Sequence, residues 1–283
     1  MLNGCAYILT VDVGNTFIRF GMFAEDSAAA QECPLATCEI TTPSSITADE
    51  ARMRLAQVMG ALAADAGMPG ALVPAAAVLS CVVPALERPW KAALSRTCTG
   101  RVLTVGPGLK TGMPVHYDDP AEIGPDRIAD AVAARAVYGS PCIVIDLGTT
   151  TNIEVIDARG TFVGGVIAPG LALGARSLST AAARLPQVEP SAPTHVIGRN
   201  TREAMRSGVV LGEVARIDGM LDMVLAEMRS IKAAGEGGVP IVITGDDAEA
   251  LAALVGHSLT VDDALTLRGL AELYRINQKP RRA

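Results

Sequence analysis

Apolar residues occur along this chain in short blocks closed by glycine, proline or capping residues. AYILTVDVG (6–14) is too short for a helix and ends in a turn, so it predicts a buried strand. FIRFGMF (17–23) predicts a second strand after a tight turn at Gly14 and Asn15. The period then changes: SSITADEARMRLAQVMGALAADAG (44–67) opens on capping residues and runs at helical spacing to Gly67. A strand is predicted at 75–83, a helix at 87–97 and a strand at 101–106. Residues 106–125 are dense in glycine and proline and read as a linker or an active loop. A helix over 126–139 follows, stopped by Gly139.

The pattern then starts again. CIVIDLG (142–148) and NIEVIDA (152–158) repeat the opening strand pair, and TFVGGVIA (161–168) predicts a third strand. Helices are predicted over 171–185 and 201–231, the latter with Asn200 as N-cap and Glu203 at capping-box spacing. VPIVITG (239–245) predicts a strand and 265–277 a closing helix, with a frayed tail from 278. LTVDVGNTFIRF (9–20) and IVIDLGTTTNIEVI (143–156) both place an aspartate, Asp12 or Asp146, at the end of an apolar run and follow it with a glycine turn and a threonine. Such duplication predicts two similar α/β lobes with a cleft between them and a boundary near 107–125.

Composition narrows the function. The 283 residues suffice for one large domain or two smaller ones. The hydrophobic fraction of 49% is largely alanine, with 3% aromatics, which suits close-packed helices on sheets rather than a cage of stacked rings. A net charge of −6 argues against nucleic acid as a partner. An anionic ligand would have to be attracted by a few local basic residues or a metal. The cysteines (Cys5, Cys33, Cys38, Cys81, Cys98, Cys142) are scattered without a CxxC, which argues against a zinc site or a disulfide scaffold and for buried thiols in a reducing compartment. The most apolar segment, 71–86, is broken by Pro74 and Pro84 and is too short to span a bilayer. The N-terminus lacks a basic n-region, and LNGC (2–5) has no apolar stretch before it. A cytoplasmic protein without membrane contact is expected.

No GxxxxGK[ST] is present, and GPGLKTG near 106 fits neither that motif nor GxGxxG. The turns DVGNT and DLGTTT can nevertheless hold phosphate. Glycine lets the backbone approach, successive N–H groups point into the bend, and hydroxyls add donors. An aspartate beside such a turn helps only if it holds a cation that bridges to phosphate oxygens. The other reading is two ordinary hairpins whose side chains satisfy local backbone groups. EIGPDRIAD (122–130) places Asp126 and Arg127 in a helix's first turn, with Pro125 suited to its first position. There the helix dipole favours an ionised carboxylate, which can accept a proton from a hydroxyl, while Arg127 can grip a substrate carboxylate. Alternatively, Asp126 only caps the helix and Arg127 is solvated.

These segments resemble the type III pantothenate kinases almost end to end. DVGNT (12–16), ADE (48–50), SCVVPAL (80–86), YDDPAEIGPDR (117–127), DLGTTT (146–151), GGVIAPGL (164–171), ARLPQVE (183–189), IGRNTREAMRSG (197–208) and LTLRGL (265–270) follow in the family's order. The resemblance implies a duplicated ribonuclease-H-like, actin-like fold with lobes at 1–115 and 116–283, the second carrying catalytic and dimerisation elements. It implies ATP-dependent phosphorylation of pantothenate on the way to coenzyme A. It also implies ATP contacts at Asp12, Val13, Gly14, Asn15, Thr16, Phe17, Ile18, Arg19 and Thr149, with Asp12 near Mg²⁺. Asp126 would be the base; Tyr117, Gly124, Pro125, Asp126 and Arg127 would line the pantothenate site. Asp146 would bind K⁺ or NH₄⁺, and Thr201 would reach pantothenate in the neighbouring subunit of a homodimer.

Three departures stand out. Pro125 replaces the family's alanine, Thr150 and Asn152 replace its alanine and threonine, and TGDD (244–247) replaces a Gly–Gly pair, putting Asp246 where the family's glycine lies against the nucleotide. Rival readings are another phosphotransferase or phosphatase on this fold, such as a sugar kinase, and a non-catalytic or altered-specificity member that binds ligand or regulates.

Overall fold

The computed structural model describes residues 6–25, 33–68 and 72–278. Cys5 and the end of the tail, 279–283, lie outside the described residues. The chain forms two compact units: Met1–Val137 with Ala264–Ala283, and Tyr138–Asp263.

The first unit contains β1 (Tyr7–Val13), β2 (Phe17–Ala24), β3 (Ala36–Thr41), β4 (Ala76–Cys81) and β5 (Val102–Thr104) in the order β3-β2-β1-β4-β5. The first three strands are antiparallel; β4 runs parallel to β1, and β5 parallel to β4. β1 is buried on both faces, and its apolar residues are interrupted only by Thr10 and Asp12. Its residues Tyr7, Leu9, Val11 and Val13 join the core beneath α1 (Ala48–Asp65) and α2 (Pro84–Thr97). By the two-residue period of a strand, Thr10 and Asp12 point to the other face. Thr47 caps α1 in a reciprocal box with Glu50.

The second unit repeats this sheet. β6 (Cys142–Leu147), β7 (Thr150–Ile156), β8 (Phe162–Pro169), β9 (Ile241–Gly245) and β10 (Thr260–Val261) are ordered β10-β9-β6-β7-β8, with the same parallel and antiparallel relations. Ile143, Ile145 and Leu147 face the core under α6 (Gly212–Ser230), which leaves Asp146 on the opposite face. Each unit is thus a ribonuclease-H-like sheet, and the duplicated fold is the one expected.

The details differ from the sequence reading at several points. The units divide after Val137 rather than at 115/116, and α8 (Leu265–Ile276) returns to the first unit. The cause is packing: α8 lies against β1, β2 and β4. It also touches α3 (Pro125–Tyr138), where a Cβ on Gly269 would sit 1.9 Å from the Ala129 carbonyl oxygen. The strand β3, the short helix α7 (Ala248–Ala252) and β10 were not anticipated. α2 begins at Pro84, ahead of the expected 87, and α4 (Leu171–Ala181) stops short of 185. The expected helix over 201–231 is α5 (Thr201–Arg206), a π-helical turn at Ser207–Leu211, and α6. Of the five described cysteines, all free thiols, Cys142 is buried and Cys33 is exposed, so uniform thiol burial does not hold.

Gly269→Ala forces α8 off the α3 backbone, so urea denaturation is expected to show a loss of about 1–3 kcal/mol. Gly60→Ala at an exposed position of α1, where a Cβ meets nothing within 4 Å, is expected to gain up to about 1 kcal/mol. Equal effects of the two would contradict the α8–α3 contact.

Candidate active site

The first acidic turn is tightly built. The Gly14 N–H donates to the Phe17 oxygen at 3.0 Å, and a Cβ at Gly14 would meet that oxygen at 3.0 Å. Behind it, Thr42 donates its hydroxyl to the Gly14 oxygen at 2.7 Å and its N–H to the Thr16 oxygen at 2.9 Å. Val13 and Ile18 are buried anchors, while Asn15 and Thr16 are exposed at the tip. Thr42 follows β3, the strand the sequence reading missed, so its part in the turn was missed as well.

Asp12 lies at the base of this turn, paired in register with Arg19 on β2 and Ser80 on β4. It is only 7% exposed, and its Oδ1 has no hydrogen-bond partner. Burial, and then the charge of Asp126, push its carboxyl up to about 6; the Ser80 hydroxyl and the Arg19 charge pull the other way. Asp12 and Asp126, 114 positions apart in sequence, therefore sense each other within one unit.

Asp126 stands in the first turn of α3, after Pro125 at the helix start. Its Oδ1 accepts the Arg127 N–H at 2.8 Å. A Cβ on Gly124 would lie 2.3 Å from that Oδ1, so the glycine makes room for the carboxylate. Burial raises the Asp126 pKa, opposed by the Arg127 N–H and the Arg127 charge. Arg127 is 5% exposed, which corrects the reading of a solvated side chain. Tyr117 is half-buried, and Asp119 caps a 3-10 turn at Pro120–Glu122 through the Ala121 N–H. A cavity of about 380 Å³ opens here, lined among others by Cys81, Val105, Leu109, Met113, Pro125 and Ile128. The Gly106–Met113 segment is thus a pocket wall rather than a linker.

In the second unit Asp146 occupies the position of Asp12, in register with Asn152 on β7 and Thr244 on β9. The Gly148 N–H donates to the Thr150 oxygen, and the Gly170 N–H to the Thr149 oxygen, both at 3.0 Å. Gly245 has φ +90°, and a Cβ there would fall 2.1 Å from the Leu147 oxygen. The next residue, Asp246, donates its N–H to that oxygen at 2.6 Å. The two departures on β7 meet each other: the Thr150 hydroxyl donates to Asn152 Oδ1 at 3.2 Å. Thr151 donates to buried Glu213 at 2.6 Å, and Arg216 bonds both Glu213 and the Pro169 oxygen. Glu213 and Arg216 were not singled out from the sequence, because inside a long helical pattern they look like surface charges. Thr201 is the exposed first residue of α5; Asn200 caps it, but the Glu203 carboxylate returns to the Arg199 N–H instead of that of Asn200.

Among the described residues no group of three or more His, Cys, Asp or Glu forms a ready metal cage. Mg²⁺ in phosphate chemistry is commonly held by one or two carboxylates, water and the substrate's own phosphates. Asp12, buried with one oxygen unsatisfied, fits that role.

A model of the type III pantothenate kinase family matches residues 8–223. Type III pantothenate kinase 2 of Symbiobacterium thermophilum is 40% identical over 275 residues, covering 96% of this chain and 97% of its own. The type III pantothenate kinase of Nocardia farcinica is 39% identical over 284 residues, covering 97% and 99%. Among solved structures, a protein described as a Baf family transcriptional activator from Campylobacter jejuni aligns with a TM-score of 0.55 at 18% identity, covering 95% of this chain and 98% of its own. The ethanolamine utilization protein EutJ from Carboxydothermus hydrogenoformans aligns at 0.50 with 15% identity, covering 96% and 92%. These two likenesses speak to the fold alone. With matching relatives over nearly its full length, the chain belongs to the type III pantothenate kinase family.

Proposed function

We propose that this protein transfers the γ-phosphoryl group of ATP to the primary hydroxyl of pantothenate, giving 4′-phosphopantothenate, the first step of coenzyme A biosynthesis. Alongside family membership, the observation that carries this reading is the electrostatic influence of Asp126 on Asp12: two carboxylates from distant segments, Asp12 buried with one oxygen lacking a partner and Asp126 half-buried at the start of α3. Phosphoryl transfer needs a cation site for the donor and a base for the acceptor. Asp12 suits the first task and Asp126 the second. A base whose pKa rises toward working pH abstracts a proton more effectively.

The remaining roles follow the same reading. Residues 12–19 and Thr149 contact ATP, with Asp12 holding Mg²⁺, which when bound neutralises phosphate charge. Asp146 holds a monovalent cation. Tyr117, Gly124, Pro125 and Arg127 orient pantothenate, the buried Arg127 guanidinium meeting its carboxylate. Thr201 serves the site of a second subunit. A homodimer is supported by apolar surface on the second unit: α4 buries only Ala175, while Ile167 and Ile197 are 60% and 83% exposed. No helix among the described residues is long and apolar enough to cross a membrane, and we assign the enzyme to the cytoplasm.

Purified protein with ATP, Mg²⁺ and K⁺ is expected to yield 4′-phosphopantothenate by mass spectrometry. Asp126→Asn should lower kcat by about 10²–10⁴-fold without changing the melting temperature; wild-type turnover in that variant would remove Asp126 from the chemistry. Gly124→Ala should cost roughly 10–100-fold in kcat, because its Cβ displaces the Asp126 carboxylate. An unchanged kcat would mean the carboxylate does not depend on that space.

Asp12 predicts a pH signature. Its folded pKa is about 6 against an ordinary 3.8, so the protonated form is favoured by folding. This contribution, at most about 3 kcal/mol, is present below the ordinary value and is lost as pH rises through about 6. Asp12→Asn should flatten this fall in urea denaturation. Mg²⁺ at pH 8 should raise the melting temperature of the wild type and leave that of Asp12→Asn unmoved; equal responses would place the cation elsewhere.

A further inference from the structure

The Gly106–Met113 loop walls the cavity whose lining includes Pro125 and Ile128, residues that bracket Asp126 in α3. Its glycines Gly108 and Gly112 take φ values of +90° and +68°. Within the loop, the Leu109 N–H donates to the Gly106 oxygen at 3.1 Å and Thr111 bonds Met113 through its hydroxyl. Three further contacts tie the loop to the helices. Asn277, just beyond α8, reads both backbone groups of Lys110: its Oδ1 accepts the Lys110 N–H at 3.2 Å, and its Nδ2 donates to the Lys110 oxygen at 2.8 Å. The same Nδ2 donates to the Leu273 oxygen at 2.8 Å, which sets which way round the amide lies. Gly112 packs so closely on Ile276 that a Cβ would come within 2.9 Å of its Cδ1. Arg135 of α3 donates to the Gly112 oxygen.

The loop is therefore tied to the helix that carries Asp126 and to the helix packed against it. We infer that Asn277 is a positioning residue, clamping the Gly106–Met113 loop so that the cavity beside Asp126 keeps the shape that receives the acceptor substrate. This rests on the kinase reading above. Asn277 touches neither Asp12 nor Asp126 among its hydrogen bonds, so its effect passes through the loop. Its partner Lys110 is exposed, and water can replace the lost bonds in a variant; folding as a whole does not depend on them.

The test compares wild type, Asn277→Ala and Asn277→Asp by steady-state kinetics and by hydrogen exchange. In Asn277→Ala the KM for pantothenate should rise about 5–10-fold, the equivalent of one net hydrogen bond. Its kcat should stay within about twofold and its KM for ATP should be unchanged. Asn277→Asp keeps an acceptor for the Lys110 N–H but sets a carboxylate oxygen against the Lys110 and Leu273 carbonyls and a negative charge at the end of α8, so its KM should rise at least as far as that of Asn277→Ala. Amide exchange across 106–113 should accelerate in Asn277→Ala while exchange in β1 and α3 stays as in wild type. Unchanged pantothenate KM in Asn277→Ala would overturn the inference, and so would unchanged loop exchange. A general loss of melting temperature with a parallel loss of kcat would reduce Asn277 to a structural residue and also overturn it. A wild-type protein that leaves pantothenate unphosphorylated would sink the kinase reading itself, which an inactive clamp with a normal wild type would not.

Discussion

A carboxylate at the end of a strand buried on both faces is electrostatically unsettled, and much of the site follows from that. Asp12 is shielded from water by the same packing that makes β1 an apolar run. Desolvation disfavours its charge, and Asp126 disfavours it further. A fold selected for stability alone would place an apolar residue or a paired ion there. On the kinase reading the tension has a use: the anion is held ready for a cation, and the cation carries the phosphate donor. Asp126, which the same reading casts as the base, belongs to the same unit.

The close approach of backbones in the first unit is what brings these groups together. Gly269 lets α8 lie against the Ala129 carbonyl, and Gly124 clears the space into which the Asp126 carboxylate turns. Neither has a left-handed φ; both are small because something else occupies the place of a side chain. α8 thus connects the far end of the chain to α3, to the central strand and, through Asn277, to the pocket wall. A late segment thus joins an early unit, which a division drawn from sequence order alone does not express. Cutting at the glycine- and proline-rich stretch near 115 would separate α3 from the unit it belongs to.

What the sequence made legible was local and periodic. β1, β2 and their repeats β6 and β7 are runs of β-branched and apolar residues closed by glycine, and duplication confirmed their pairing. The acidic turns and the Pro125 helix start were legible for the same reason. β3 was not: ATCEIT alternates small and polar residues, with one fully buried position, and offers no apolar run. α7 and β10 are too short to show a period. The π-helical turn at Ser207–Leu211 moves the buried face by one residue, from Met205 to Val210, but the neighbouring Val209 also fits ordinary helical spacing, so the sequence does not mark it. Pairings such as Thr42 with Gly14, or Thr151 with Glu213, depend on which strands and helices become neighbours, which composition does not specify.

The departure at TGDD shows how sterics and charge can be separated. The turn after β9 needs a glycine where the chain passes the Leu147 carbonyl, and Gly245 stands there with a left-handed φ. The following N–H closes the turn onto the same carbonyl, a bond that any residue except proline can make. Asp246 therefore fits without altering the backbone path, and Asp247 takes the second left-handed conformation, which aspartate tolerates better than most residues. What the substitution changes is charge: a carboxylate now stands one residue beyond the end of β9, beside the strand that carries Asp146. The shape of the second acidic turn is thus kept by its glycines, and Asp246 adds a side chain and a charge beside it.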